Sequence, residues 1–127
     1  MTLPSSASVV TFLGTRNRAK AKSFYCETLG LKYVSEDPFA LVLETDAKRL
    51  RISELKDFEP RRFTALGWDV ADIADAVRSL KEKGVSFQVY SGFGQDEIGV
   101  WTSPDRSARV AWFLDPDGNI LSLTQHG

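Results

Sequence analysis

The stretch Val110-Ala111-Trp112-Phe113-Leu114-Asp115-Pro116-Asp117-Gly118-Asn119-Ile120-Leu121 decides how the rest of the chain is read. Proline and glycine occupy turn-compatible places in Asp115-Pro116-Asp117-Gly118, and β-prone runs flank them, so the segment is a hairpin. Successive residues of a strand point to opposite faces. Alternation therefore sets Val110, Trp112, Ser122 and Thr124 on one side and Ala111, Phe113, Leu121 and Leu123 on the other.

Outward from this hairpin, the chain carries one pattern twice. Val9 to Leu13 is a short β-prone run ended by Gly14, and Arg16 to Leu29 then places Ala19, Ala21, Phe24, Tyr25 and Leu29 near helical spacing. Gly30 stands where a helix C-cap glycine is expected, and strands come next over Leu31 to Ser35, Phe39 to Thr45 and Leu50 to Leu55. Polar Lys56 to Arg62, with Pro60, is a linker. Phe63 to Val70 then reads as a strand with Trp68 on its core side, and Asp72 as the N-cap of a helix with Ile73, Ala76, Val77 and Leu80 on one face. Gly84 closes that helix before a strand over Val85 to Tyr90. The interval from Val10 to Gly30 nearly equals that from Ala65 to Gly84, which marks a pseudo-duplication. The expected fold is α+β, a single domain over residues 1–127 with module one at about 8–56 and module two at about 63–126, each β-α-β-β-β. Ser91 to Ser107 is the longest irregular stretch, glycine-rich yet carrying Phe93 and Trp101, with a short strand over Ile98 to Thr102.

Composition narrows the function. With 127 residues, 43% of them hydrophobic, the chain can bury an ordinary core without disulfides or structural metal. Lys+Arg 16 against Asp+Glu 17 gives no sequence-independent pull toward phosphates, so nucleic acid is not an expected partner, and Arg16, Arg18, Lys20 and Lys22 read as a solvated helix start. The longest apolar run, Val110 to Leu114, is far short of the roughly 20 residues that span a bilayer. No membrane partner is expected. Met1 to Leu13 lacks the basic and apolar regions of a secretory leader, and the lone Cys26 suits a reducing compartment, so the expected location is cytoplasmic.

Phe24-Tyr25 followed by Leu29-Gly30-Leu31, and then the hairpin of residues 110–121, resemble the vicinal oxygen chelate superfamily of glyoxalase I, bleomycin-resistance proteins and extradiol dioxygenases. The likeness covers nearly the whole chain. It implies two βαβββ modules whose sheets curve into one concave cleft with helices on the convex side, and pairing as a homodimer. In metal-dependent members four cleft-facing strand positions hold a divalent ion through His, Gln or Glu. Mapped by the resemblance, those positions are Val10, then Ala65 or its neighbour Thr64, then Ser122, and one in the strand Leu50-Arg51-Ile52-Ser53-Glu54. If Leu50 and Ile52 face the helices, Arg51 and Ser53 face the cleft; Glu54 is a donor only in the other register. One carboxylate cannot supply the four to six donors such an ion needs. No metal and no cofactor are expected.

Other chemistry finds little support. His126 reads as an exposed tail residue, Cys26 as part of a buried helix face, Asp69, Glu44 and Glu54 as solvated or ion-paired carboxylates, and Asp115 and Asp117 as turn formers. The cleft register instead offers Val10 and Phe12, then Phe39, Leu41 and Leu43, then Ala65, Gly67 and Asp69. Small residues floor a pocket walled by Phe12, Phe39 and Trp112, with Trp101 and Phe93 on the long loop above. The expected ligand-binding set is Phe12, Phe39, Leu41, Arg51, Ala65, Trp101, Val110, Trp112 and Ser122, with Arg51 placed to meet a carboxylate or phenolate. The expected function is metal-independent binding of a planar apolar or aromatic compound, as in the bleomycin-resistance branch. Two alternatives stand beside it: a metal-dependent glyoxalase-like lyase, isomerase or dioxygenase, and a non-catalytic dimeric interaction module whose rings fill its own cleft.

Overall fold

Elements form in the order the duplication implies. In the computed structural model, which describes residues 2–127, the chain falls into two compact units that divide between Glu59 and Pro60.

The first unit contains β1 (Val10–Thr15), α1 (Arg18–Lys22), β2 (Lys32–Glu36), β3 (Ala40–Thr45) and β4 (Lys48–Glu54), with sheet order β1-β4-β3-β2. Asn17 caps α1 by accepting the Lys20 N–H at 3.1 Å. The expected uninterrupted helix widens into a π-helical segment, Ser23–Thr28, in which the Leu29 N–H reaches back to the Phe24 carbonyl at 3.0 Å. Ala21 and Tyr25 are fully buried. Arg18 meets Glu36 and Glu54, and Lys22 meets Glu36 and lies 4.2 Å from the Tyr33 ring centre. Those contacts identify the helix side of the sheet, which also carries Leu13, Leu50 and Ile52.

One expectation fails in this sheet. Leu41 pairs with Ile52 and Leu43 with Leu50, so both leucines share the helix side and are fully buried, instead of standing with Arg51. Ala40-Leu41-Val42-Leu43 are all buried, and a continuous apolar run carries no period-two signal from which a face could be read. The residues on Arg51's side are Val42 and Phe12, its register partners in β3 and β1. Phe39 lies just before β3 and is exposed.

The second unit contains β5 (Thr64–Asp69), α2 (Ile73–Glu82), β6 (Trp101–Thr102), β7 (Ala108–Leu114) and β8 (Ile120–His126), with sheet order β5-β8-β7-β6. Asp72 caps α2 by accepting the Asp75 N–H, and the Gln125 side chain accepts the Ile73 N–H at 2.9 Å, anchoring the helix start to β8. At its other end Gly84 (φ 93°) takes the left-handed conformation, so that its own N–H returns to Lys81 and that of Val85 to Leu80, a Schellman closure. Ile73 and Val77 of α2 are buried, as are Ala111, Phe113, Leu121 and Leu123 of the sheet. The β7–β8 turn is held by the Asp115 carboxylate, which accepts from the Asp117 and Asn119 backbones and from the Asn119 side chain. The expected strand over Val85 to Tyr90 does not form; that segment makes an isolated bridge, Phe87 to Phe113. Among the described residues, no helix is long and apolar enough to cross a membrane.

Candidate functional site

Opposite pairing carries side chains across a sheet on one face. In the second unit Trp112 faces Ser122 and Ser122 faces Gly67; one step along, Trp101 faces Val110, Val110 faces Thr124 and Thr124 faces Asp69. These residues therefore share the side away from α2. Ala65 sits at the point where the β5–β8 register shifts between Thr64 and Leu66, and is exposed. A side chain at Gly67 would meet the Ser122 Oγ at 2.4 Å, so a glycine there lets the Ser122 hydroxyl lie down on the sheet.

Four rings gather over this face. Trp112 lies 5.7 Å from Tyr90, 6.0 Å from Phe93 and 6.3 Å from Trp101, and Tyr90 lies 5.5 Å from Phe93. The Tyr90 and Phe93 contacts to Trp112 are edge-on, at 72° and 83°, the geometry that aligns a positive ring edge with a negative face. Trp101, Trp112 and Tyr90 remain half-buried and Phe93 is exposed, in contrast to the fully buried Phe113 on the other side of the same strand as Trp112.

A glutamine anchors the backbone that carries one of these rings, Tyr90. The Gln95 side chain accepts from the Tyr90 backbone at 2.6 Å and donates to the Gln88 and Gly99 carbonyls at 2.9 and 2.7 Å. Asp96 accepts from Ile98 and Val100, and the Gln88 N–H is clipped to the Trp112 carbonyl at 2.8 Å. At the β6–β7 hairpin Asp105 is held by the Ser107 N–H and the Ser103 and Ser107 hydroxyls, which pull its carboxyl down to about 2. Tyr90, Gln95 and Asp96 stand outside the set expected from sequence. Composition puts Tyr90 at the end of a strand, and polar side chains that fold back on a loop backbone have no periodic signature.

Beyond the rings, the Nε2 atom of His126 stands 3.1 Å from the Asp69 Oδ1. His126 ends β8 in register with Ala108, on the ring-bearing face, and is thus part of the sheet instead of a loose tail.

The first unit's corresponding face differs. Arg51 Nη2 donates to Asp37 Oδ2 at 3.0 Å, so the cation expected to await a ligand is partnered within the chain. The Phe39 N–H, then Arg51 and the Ala40 N–H, hold the Asp37 carboxyl below the usual carboxylate range. Phe12, the register partner of Arg51 in β1, is 64% exposed. Glu54 lies on the helix side against Arg18.

The donors at the family-implied metal positions are poor ones. Val10 offers an alkyl group, Arg51 a cation, Ala65 a methyl group and Ser122 a hydroxyl, while Glu54 points to the opposite face from Arg51. Among the described residues, no three His, Cys, Asp or Glu side chains cluster as a metal site. This donor set does not fit a divalent ion. Cys26 offers no activated nucleophile either: burial is the main influence on its thiol and raises it above the ordinary value.

Known proteins share this architecture. The model of the Glyoxalase/Bleomycin resistance protein/Dioxygenase superfamily matches residues 8–123. The antibiotic binding protein TnmS3 from Streptomyces sp. CB03234 is similar in structure, with TM-score 0.75, 23% identity and coverage of 99% of this chain and 100% of that one. A superfamily member from Sphaerobacter thermophilus has TM-score 0.73 and 23% identity over 95% and 98% of the two chains. A glyoxalase/bleomycin resistance protein/dioxygenase from Alicyclobacillus acidocaldarius has TM-score 0.69 and 17% identity over 95% and 92%. None of the curated proteins matches the sequence.

Proposed function

The chain belongs to the glyoxalase/bleomycin resistance protein/dioxygenase superfamily, and from that membership we propose that it is a metal-independent, homodimeric binder of planar aromatic compounds that sequesters its ligand without transforming it. The observation that carries this reading is the ring cluster of Tyr90, Phe93, Trp101 and Trp112, built on the open side of a sheet whose core needs are already met by Phe113, Leu121 and Leu123. Rings that only filled a core would be covered; these keep surface in water. Each aromatic pair a ligand makes contributes about 0.5–1.5 kcal/mol beyond area burial. Val110 and Ser122, on the same face as Trp112, extend this surface, and the reading adds Ala65 to it. That a solved neighbour is an antibiotic binding protein supports the same class of activity. The donor set described above supports metal independence, and a reducing compartment such as the cytoplasm suits the free Cys26.

Titration with phenanthrene, monitored by tryptophan fluorescence, tests the proposal. Quenching that saturates in the wild type and disappears in a folded Trp112→Ala variant is expected, with unchanged affinity after incubation with zinc, nickel, manganese or iron; light scattering on the same samples reads the dimer. Equal affinity in Trp112→Ala, or binding that requires added metal, overturns it.

A further inference from the structure

We propose that the Asp69–His126 pair is the polar end of the ligand site and selects aromatic compounds that carry a hydroxyl group; the proposal rests on the aromatic-binding reading above. Three observations support it. His126, Thr124 and Ser122 alternate along β8 on the face that bears Trp112, and Asp69 faces Thr124 from β5. The row Trp101, Val110, Thr124, Asp69 crosses all four strands on that face, with a ring at one end and a carboxylate at the other. The His126 Nε2 to Asp69 Oδ1 distance of 3.1 Å ties the imidazole to that carboxylate.

The carboxylate sets the chemistry of the pair. An ionised carboxylate only accepts, so the proton of a neutral imidazole sits on Nε2, and Nδ1 is left as an acceptor. An acceptor held at the margin of an apolar, aromatic platform recognises an O–H donor on a ring. From strand spacing and rise, the Trp101 and His126 backbones are about 12 Å apart, which after side-chain reach suits a ligand of two or three fused rings. With side chains 66% and 75% exposed, His126 and Asp69 are open to such a ligand and contribute little to the fold.

The test compares 9-phenanthrol with phenanthrene by fluorescence titration at pH 8, where an ordinary histidine is neutral and an ordinary phenol still protonated. Wild-type protein is expected to prefer the hydroxylated probe about five- to tenfold, the value of one added hydrogen bond. His126→Ala should erase that preference, the two probes then binding with equal affinity. Asp69→Asn should reduce it, because an amide can donate to Nε2 and let the proton move to Nδ1. Equal affinity for both probes in the wild type, or an undiminished preference in either variant, overturns this inference while the aromatic platform stands. Failure of both probes to bind removes the platform and this inference with it.

Discussion

The two units answer the same need, a sheet with one helix-covered side, but differ in the segment that leaves the helix. After the first helix the chain enters β2 and pairs at once with β3, so the segment is used up as backbone ladder. After α2 the corresponding residues touch the sheet at a single bridge, Phe87 to Phe113, and continue as a loop strapped by Gln95 and Asp96. That loop delivers Tyr90 and Phe93 to Trp112. The open face of the first unit is instead occupied by the Arg51–Asp37 ion pair and, at Gly14, by the Phe58 ring. A duplicated module can thus keep its core pattern and strand order while one copy shortens and delays the strand after its helix, β6 against β2, to build a surface.

Removing the strap should collapse this difference. Gln95→Ala deletes three hydrogen bonds of a half-buried amide, each worth about 1 kcal/mol net, so a stability loss of about 2–3 kcal/mol is expected in urea unfolding. Hydrogen exchange should quicken at the Tyr90 and Gly99 segments and stay unchanged in β1–β4, and phenanthrene affinity should fall with it. Protection lost equally in both units would show that the strap supports the whole chain and not the loop.

The pseudo-equivalent strands β1 and β5 each carry a glycine with a close neighbour, and the neighbours differ in kind. A Cβ at Gly14 would lie 2.2 Å from the Phe58 ring, a rigid body with three atoms in the way; at Gly67 the nearest atom, at 2.4 Å, is a hydroxyl that can rotate. Gly14→Ala is therefore expected to destabilise by about 2 kcal/mol, within the range for overpacking, and Gly67→Ala by less than about 1 kcal/mol. Thermal or urea unfolding of the two variants side by side decides it. A Gly67→Ala loss as large as that of Gly14→Ala would mean that Ser122 cannot turn.

Much of this architecture is legible in the residues alone. The helix-capping glycines, the Asp72 cap and the hairpin around Asp115 each depend on local rules, and the alternation Val110, Trp112 against Ala111, Phe113 matches the observed β7 faces. Legibility stops where the local signal is flat or the partner is distant. The run Ala40 to Leu43 is apolar throughout, so only its pairing with β4 assigns Leu41 to the helix side. Val85 to Tyr90 has strand-like composition, yet the strap by Gln95 holds it off the ladder. The Asp69–His126 contact joins residues at the ends of two strands that are adjacent only because β8 crosses to β5. Sequence patterns report periodicity, and none of these three depends on a period.

The smallest effect concerns the first unit's ion pair, and it separates two roles for Arg51. If the guanidinium serves the fold, it is one of several groups that keep Asp37 ionised, the first being the Phe39 N–H, followed by Arg51 and the Ala40 N–H. Arg51→Met should then let the Asp37 carboxyl rise only part of the way toward its ordinary value, because the backbone donors remain. The sign is fixed by linkage: a carboxyl depressed in the folded state adds stability that is present above its unfolded value and is lost as pH falls through the folded one. The variant should accordingly show a smaller acid-induced loss of stability from this site and an unchanged affinity for phenanthrene. Carbon-detected NMR titration of Asp37 measures the first and fluorescence the second. A large loss of ligand affinity in Arg51→Met would instead give Arg51 a role in binding, and the contrast between a face closed by its own ion pair and a face open to ligand would fail.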